Sequence, residues 1–175
     1  IFSLVSCASA ASDKENMIYL ELKDGRVVIE LLPKLAPNHV ARIKELTRQG
    51  FYDGIVFHRV IDDFMIQGGG VDADLNPVTD GIRGGILNEA TNGLKNERGT
   101  VAVARSADPN SGRAQFFINT ANNSSLDHSD TTAEGYGYAV FGRVIDGMDV
   151  VDKIDRKPTR TTFTGIADVP ISAIT

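Results

Sequence analysis

The chain is poor in residues that carry out covalent or metal-assisted chemistry. Its only cysteine is Cys7, so no internal disulfide can form, and it contains no tryptophan. The histidines His39, His58 and His128 are far apart in the sequence and share no helix spacing, which argues against a zinc site. No serine stands in a nucleophile elbow. We therefore expect a function that needs no metal, no cofactor and no covalent intermediate.

Motifs for phosphate, calcium and nucleic acids are also missing. The glycine-rich segments 68–70 and 81–85 lack the lysine and hydroxyl of a phosphate-binding loop. Residues 72–76 begin like a calcium loop, but Pro77 stands where that loop needs glycine and Arg83 where it needs glutamate. The net charge of −5 and the pI near 5.1 argue against a nucleic-acid partner, because neutralising phosphates requires a basic face.

The first sixteen residues differ in character from the rest. Residues 1–11 are small or apolar and uncharged, and the polar stretch 12–16 follows, a pattern typical of the end of a secretory signal. Residues 8–10 fit the small-x-small cleavage pattern of an ordinary signal peptidase, whereas residues 4–7 resemble a bacterial lipobox in which Cys7 would carry a lipid. We expect a periplasmic protein and favour the soluble form over the lipid-anchored one. The alternative is a disordered or helical extension of a cytoplasmic protein.

Length and composition indicate one domain. A chain of 175 residues with 42% hydrophobic residues can build one real core but is short for two. We therefore assign residues 1–16 to an export signal remnant or N-terminal tether and residues 17–175 to a single domain.

Residue patterns in this domain predict mostly strands. Apolar alternation on both sides of Asp24-Gly25 predicts a hairpin. Pro37 opens a helix that ends near Gly50, and a second helix is predicted at 146–154. The residues predicted to be buried are Val40, Ile43 and Leu46 in the first helix and Met148, Val151 and Ile154 in the second. Further strands are predicted at 101–104, 115–119, 138–144 and 171–174. Surface loops are predicted at 68–99 and 128–137. Many short strands with two helices favour a mostly β fold, a closed antiparallel barrel capped by the helices.

The segment 57–70 predicts two strands joined by a tight turn, with Arg59 and Gln67 near their middles. A two-residue turn at 62–63 would leave these two side chains on opposite faces, whereas a three-residue loop at 62–64 would pair them directly. We favour the three-residue loop, because a guanidinium and a carboxamide are easier to satisfy together than separately inside a core.

A third predicted strand adds an amide and an aromatic ring. Gln115 and Phe117 alternate with Phe116 and Ile118, so one face presents the amide and a ring while the other faces the core. The alternative to a binding site is that the arginine faces solvent and the aromatic residues belong to the core. A guanidinium, an amide and an apolar slot together suit a peptide better than a phosphate or a metal.

Several long motifs in one order resemble the cyclophilins, a family of peptidyl-prolyl cis-trans isomerases. The resemblance spans roughly residues 17–175. The motifs that carry it lie at 57–61, 64–70, 88–89, 98–100, 115–119 and 140–148. Residues 102–105, Asn119 and 137–142 resemble the bacterial versions more than the eukaryotic ones. The family implies a closed eight-stranded antiparallel β-barrel capped by two α-helices.

The reaction of that family suits a chain without nucleophile, metal or cofactor. Rotation about an X-Pro bond has a barrier of roughly 18 to 20 kcal/mol, and it becomes easier when the prolyl nitrogen turns pyramidal and accepts a hydrogen bond. By resemblance, Arg59 is the catalytic donor and Gln67 orients it. The implied substrate-binding residues are Phe64, Met65, Phe117 and Leu126 around the proline ring, Gln115 and the backbone of Ala104, Arg105 and Ser106 along the peptide, and Tyr138 at the pocket. His58 is expected to point to the opposite face and to be structural.

Three positions depart from the family pattern. Ser125 stands where the family usually has tryptophan or phenylalanine, Tyr138 where many members have histidine, and Arg105 where asparagine is common. Serine lacks the apolar surface and the indole that tryptophan would add to the pocket wall. We therefore expect weak binding of cyclosporin, and we expect catalysis of small prolyl peptides to be retained. Tyr138 keeps an aromatic body with a polar tip, so we expect it to remain a pocket residue.

The expected partners are proline-containing segments of exported proteins. We expect a monomer, with no nucleic-acid partner and no membrane contact other than a lipid anchor at Cys7. An alternative function is a non-catalytic proline-peptide-binding chaperone or adaptor. Arg59 and Gln67 favour the enzyme, since binding alone would need only the apolar slot. A small-ligand carrier is disfavoured, because inward aromatic residues would fill so small a barrel.

Overall fold

The computed structural model describes residues 14–161 and 168–170. Seven strands form one antiparallel sheet, and a separate pair of short strands lies near the end of the chain. The strands are β1 Met17–Leu22, β2 Gly25–Leu31, β3 Ile55–Ile61, β4 Met65–Asp72, β5 Thr100–Val103, β6 Phe116–Asn119, β7 Val140–Asp146, β8 Thr159–Arg160 and β9 Val169–Pro170; the helices are α1 Pro37–Arg48 and α2 Met148–Asp155. The sheet order is β1-β2-β7-β5-β6-β4-β3. The predicted mostly β architecture with two helices is confirmed.

The first hairpin forms as predicted, but its turn lies one residue earlier. Leu22 pairs with Gly25, so the two turn residues are Lys23 and Asp24. Gly25 begins β2 with φ +136°, and a Cβ on it would lie 2.8 Å from a methyl carbon of Val150. Glycine is therefore needed there for close packing against α2 as well as for the backbone conformation.

Helix α1 agrees with the sequence pattern. Proline stands in its first turn, and Val40, Ile43 and Leu46 are buried as predicted. The chain leaves the helix at Gly50, where φ is +69°. His39, which no apolar pattern marks, is also buried.

Helix α2 starts two residues later than predicted, because Asp146 still pairs with Val28 in the sheet and Gly147 caps the helix. Val151 and Ile154 are buried as predicted, whereas Met148 is only partly buried. One apolar cluster contains residues from β2 to β7 together with Val40 and Ile43 of α1 and Val150, Val151 and Ile154 of α2, so the core lies between the curled sheet and the helices. Neither helix in the described part of the chain has the length and apolarity of a membrane-spanning helix.

The strands β5, β6 and β7 form within two residues of their predicted bounds. The predicted loop at 68–99 is wrong at its start, because Gly68, Gly69 and Gly70 are buried inside β4. These glycines suit a strand interior here because neighbouring side-chain and backbone atoms occupy the space that a Cβ would take. The predicted strand at 171–174 and residues 1–13 of the export segment lie outside the described residues.

Candidate active site

The β3–β4 hairpin has the predicted three-residue loop. Ile61 pairs with Met65, and Arg59 pairs directly with Gln67. The loop closes through a hydrogen bond from the Phe64 amide to the Ile61 carbonyl at 3.1 Å. The register that puts Arg59 and Gln67 on one face is therefore confirmed.

Neighbouring strands bring further predicted residues to the same place. Gln67 of β4 pairs with Phe117 of β6, and Phe117 pairs with Ala102 of β5. Met65, Ala102 and Phe117 are buried together in a small apolar cluster that is separate from the main core. Phe64, Ala104, Leu126 and Tyr138 pack against this cluster while remaining partly exposed.

A cavity of about 310 Å³ opens above this cluster, and we call it the Arg59 cavity. It is lined by Arg59, Phe64, Met65, Gln67, Ala104, Arg105, Phe117, Leu126 and Tyr138, all of which are site residues predicted from the sequence. Arg59 is exposed at this cavity, and no ion pair joins it to another residue within 14–161 and 168–170. Its guanidinium is therefore available to a bound molecule.

A second cavity of about 370 Å³ adjoins the first, and we call it the Gln115 cavity. The two cavities share Gln67, Ala104 and Arg105, and Nε2 of Gln67 donates a hydrogen bond to Oε1 of Gln115 at 3.0 Å. Ser106 lines only the Gln115 cavity. The predicted site residues therefore divide between two connected spaces.

Several residues of the Gln115 cavity are absent from the sequence prediction. They are Gly69, Gly70, Pro77, Val78, Thr79, Ile82, Ser111, Arg113 and Ala114. A Cβ at position 70 would lie 2.3 Å from Nε2 of Gln115, so Gly70 makes room for that carboxamide. The run of three glycines inside an apolar strand pattern is the signal that could have identified this close approach.

The Arg105 side chain is bound within the protein. Its Nε donates to the Gly137 carbonyl, and its two terminal nitrogens donate to the carbonyls of Ser106 and Ala133, all at 2.9 Å. Its Cζ also lies 4.6 Å from the ring centroid of Tyr138. Arg105 therefore holds Tyr138 from one side.

The Tyr138 ring also contacts the cavity wall. Its centroid is 5.7 Å from that of Phe117, with an interplanar angle of 76°, which is an edge-on aromatic pair. Tyr138 thus contacts both a guanidinium and a buried ring, and it is a cavity residue as expected.

Two other predicted residues lie apart from the cavities. Ser125 is exposed in the short 3₁₀ helix Ser124–Leu126 and lines neither cavity. His58 is half-buried and also lines neither cavity, and burial lowers its pKa. Its role as a structural residue stays a prediction.

The charges around the two cavities are positive. Arg59, Arg105 and Arg113 line them, and no carboxylate of the described ranges does. Within those same ranges, no group of three or more histidine, cysteine, aspartate or glutamate residues could hold a metal ion. The arrangement presents the guanidinium of Arg59, two amides and an apolar wall, which suits a peptide.

Comparison with known proteins identifies the family. Residues 17–175 match the model of the cyclophilin-type peptidyl-prolyl cis-trans isomerases. The chain is 47% identical over 159 residues to a peptidyl-prolyl cis-trans isomerase, cyp18, of Streptomyces antibioticus, covering 91% of this chain and 94% of that one. It is 45% identical over 155 residues to peptidyl-prolyl cis-trans isomerase B of Escherichia coli, covering 88% and 92%.

The fold also has a match among solved structures. A cyclophilin-type isomerase of Cryptosporidium parvum, solved in the presence of the dipeptide Ala-Pro, matches with a TM-score of 0.72 and 24% identity, covering 90% of this chain and 93% of that one. The sequence relatives include bacterial proteins, in agreement with the bacterial character of the motifs. The chain belongs to the cyclophilin-type peptidyl-prolyl cis-trans isomerase family.

Proposed function

We propose that this chain catalyses the cis-trans isomerisation of X-Pro peptide bonds, without a cofactor or a covalent intermediate. The observation that carries this proposal is the guanidinium of Arg59, which makes no ion pair within the described residues. It lies beside the apolar wall of the Arg59 cavity, in direct register with Gln67. The Cryptosporidium relative was solved with a proline-containing dipeptide, which supports the same class of substrate here.

Arg59 supplies the hydrogen bond that favours rotation. In the planar amide the prolyl nitrogen is conjugated and is a poor acceptor, but it gains a lone pair when the bond twists. A charge-assisted hydrogen bond contributes about 1.5 to 3 kcal/mol, which corresponds to about one to two decades in rate if it forms mainly in the transition state.

The apolar wall holds the ring while the bond rotates. Met65 and Phe117 form the buried floor, and Phe64, Leu126 and Tyr138 surround them. Excluding water from this wall strengthens the Arg59 hydrogen bond, because the local dielectric constant falls. No proton needs to be moved, so the reaction does not depend on a titrating group in the cavity.

The amides position the rest of the peptide. The hydrogen bond from Gln67 to Gln115 fixes both carboxamides at the junction of the two cavities. The backbone of residues 104–106 runs along the same junction and lies beside a peptide that occupies both spaces. Gln115 and this backbone therefore align the residues that precede the proline.

The direct test is the cis-to-trans rate of a short Ala-Pro peptide with and without the protein. The proposal predicts acceleration that survives treatment with a metal chelator, since no metal takes part. Acceleration that disappears with the chelator and returns with added metal would overturn the cofactor-free mechanism, and no acceleration at all would overturn the assignment of activity.

We further propose that the clients are proline-containing segments of exported proteins, and that the protein acts as a periplasmic monomer. The apolar character of residues 1–11 supports export, with cleavage after residues 8–10 favoured over lipidation at Cys7. Cell fractionation of the wild type and of Cys7→Ala separates the two processing routes, because only a lipid anchor would be lost in the variant.

The closed eight-stranded barrel is also a proposal. β1 and β3 form the two edges of the described sheet, and residues 171–174, with an isoleucine at each end, could supply a strand that joins them. Backbone hydrogen exchange tests this, because closure predicts slow exchange of the β1 amides that point away from β2.

A further inference from the structure

Three buried asparagines form a connected cluster behind the Arg59 cavity. Asn96, Asn119 and Asn123 are 2%, 0% and 8% exposed. Nδ2 of Asn119 donates to Oδ1 of Asn96 at 3.1 Å and to the Thr100 hydroxyl at 2.9 Å. Nδ2 of Asn123 donates to Oδ1 of Asn119 at 2.8 Å. The three side chains therefore form one continuous hydrogen-bonded cluster, which we call the asparagine cluster.

The outer hydrogen bonds of the cluster end on the cavity wall. Nδ2 of Asn123 donates to the carbonyl of Phe64 at 2.8 Å. Nδ2 of Asn96 donates to the carbonyl of Leu126 at 3.1 Å and to that of Tyr138 at 3.3 Å. Each of the three carbonyls belongs to a residue that lines the Arg59 cavity.

These three wall residues lie outside the strands of the sheet. Phe64 lies in the loop before β4, Leu126 in the 3₁₀ helix Ser124–Leu126, and Tyr138 before β7. By contrast, Arg59, Met65 and Phe117 lie on paired strands. The asparagine cluster therefore connects the three separate loop segments of the wall to one another through the protein interior.

Other bonds contribute to the same carbonyls but do not replace the cluster. The Phe64 carbonyl also accepts from the Thr120 amide at 3.0 Å, and the Leu126 carbonyl from the Tyr138 amide at 2.9 Å. Together, the asparagine side chains link the Phe64 loop to the Leu126 and Tyr138 segments through one set of bonds. A satisfied buried polar network of this kind specifies one arrangement of the groups around it.

We propose that the asparagine cluster positions the loop-borne wall of the Arg59 cavity against the strand-borne catalytic residues. The proposal rests on the proposed isomerase function. The asparagines touch no substrate, so they are positioning residues that act through Phe64, Leu126 and Tyr138. Removing one of them leaves the strands in place but lets the wall move relative to Arg59.

The test is a double-mutant cycle between Asn123 and Phe64. Asn123→Ala should lower kcat/KM for an Ala-Pro peptide by about tenfold, because small misplacements of binding groups cost one to two decades in rate. In a Phe64→Ala background the same change should cost less than about twofold, because the ring that it positions is gone. A general loss of folding would instead reduce kcat/KM by the same factor in both backgrounds.

A matched control measures the effect of lost stability alone. Ile43→Ala removes buried atoms from the main core at a residue that lines neither cavity, and should leave kcat/KM within about twofold at temperatures where it is folded. Asn123→Ser, which keeps a small donor, replaces Asn123→Ala if the alanine variant does not fold. Equal effects in both backgrounds, or no effect of Asn123→Ala, would overturn the proposal.

NMR titration measures the peptide affinity of the four proteins in the cycle, which are the wild type, the two single variants and the double variant. This readout does not need catalysis, so it separates the two proposals. If the wild type binds the peptide but does not accelerate rotation, the isomerase assignment fails while the cycle in affinity still tests positioning. Additive effects in that affinity cycle would overturn the role of the asparagine cluster.

Discussion

Arg59 and Gln67 are direct partners across the β3–β4 hairpin, and Gln67 in turn donates a hydrogen bond to Gln115 on the far side. A cationic donor and two amides thus follow one another across neighbouring strands. Since strands fix side-chain direction with a period of two, this row depends on the three-residue loop at 62–64. One residue fewer in the loop would move Arg59 to the other face.

The hydrogen bond between the two glutamines predicts strongly coupled mutations. Gln67→Ala and Gln115→Ala should each lower kcat/KM by about fivefold, the equivalent of about 1 kcal/mol for one hydrogen bond. The double variant should lose little more than either single variant, because both break the same contact. Kinetics with an Ala-Pro peptide decide this, and effects that multiply would show that the two amides act independently.

Arg105 should be sensitive even to lysine. Lysine keeps the charge but lacks the planar fork that reaches the carbonyls of Ser106, Ala133 and Gly137. With these bonds and the stacking on Tyr138 weakened, Arg105→Lys should lower kcat/KM by about fivefold and Arg105→Ala by more. A lysine variant with wild-type kinetics would show that the guanidinium geometry is unimportant.

The buried pair of His39 and Glu89 predicts how stability changes with pH. Nδ1 of His39 lies 2.5 Å from Oε2 of Glu89, which also accepts the amide of His39. Burial lowers the pKa of His39, and the nearby Arg42 lowers it further; together they outweigh the hydrogen bond and the charge of Glu89, which raise it. Burial alone would raise the pKa of Glu89, but hydrogen bonds from His39 and from the amides of Asn38 and His39 outweigh it and lower that pKa.

Because both pKa values are lowered by folding, the unfolded chain takes up protons first as the pH falls. The stability that this pair contributes is therefore present at neutral pH and is lost as the pH falls below the ordinary range of histidine pKa values. For each proton taken up, the free energy of unfolding falls by no more than about 1.4 kcal/mol per pH unit. His39→Gln can still donate to Glu89 but does not titrate near pH 6. Urea unfolding between pH 7.5 and 5.5 should show a smaller loss of free energy in this variant, and an equal loss would contradict the account.

Cyclosporin should bind weakly. Ser125 is exposed and lies outside the lining of the Arg59 cavity, so it adds no apolar wall for a large hydrophobic ligand. Ser125→Trp should tighten binding at least tenfold, as expected for a newly buried aromatic contact worth about 1.5 kcal/mol or more. Calorimetry gives both dissociation constants, and a nanomolar value for the wild type would refute this prediction.

The hairpin register was predictable because one polar pair distinguishes the two alternatives. Arg59 and Gln67 share a face only with the three-residue loop, and local pattern alone settles that choice. The predicted turn of the first hairpin is wrong by one residue, because its position depends on a contact that is distant in the sequence. Packing of Gly25 against Val150, more than a hundred residues away, decides where that turn lies.

The asparagine cluster could not be predicted from the sequence. Asn96, Asn119 and Asn123 resemble ordinary turn and strand-end residues, and only the fold brings them together. The three carbonyls that Arg105 contacts are equally invisible in a one-dimensional pattern, since Ala133 and Gly137 lie in a loop. Side-chain to backbone bonds between distant loops leave no periodic signal.

The most direct measurement is the isomerisation rate of an Ala-Pro peptide with the wild type, with Arg59→Ala, and with Arg48→Ala as a control for charge on the exposed surface of α1. The account predicts acceleration by the wild type and by Arg48→Ala. In Arg59→Ala it predicts a loss of about one to two decades with peptide affinity largely kept. Peptide binding by a wild type that does not accelerate rotation, or full activity of Arg59→Ala, would contradict it.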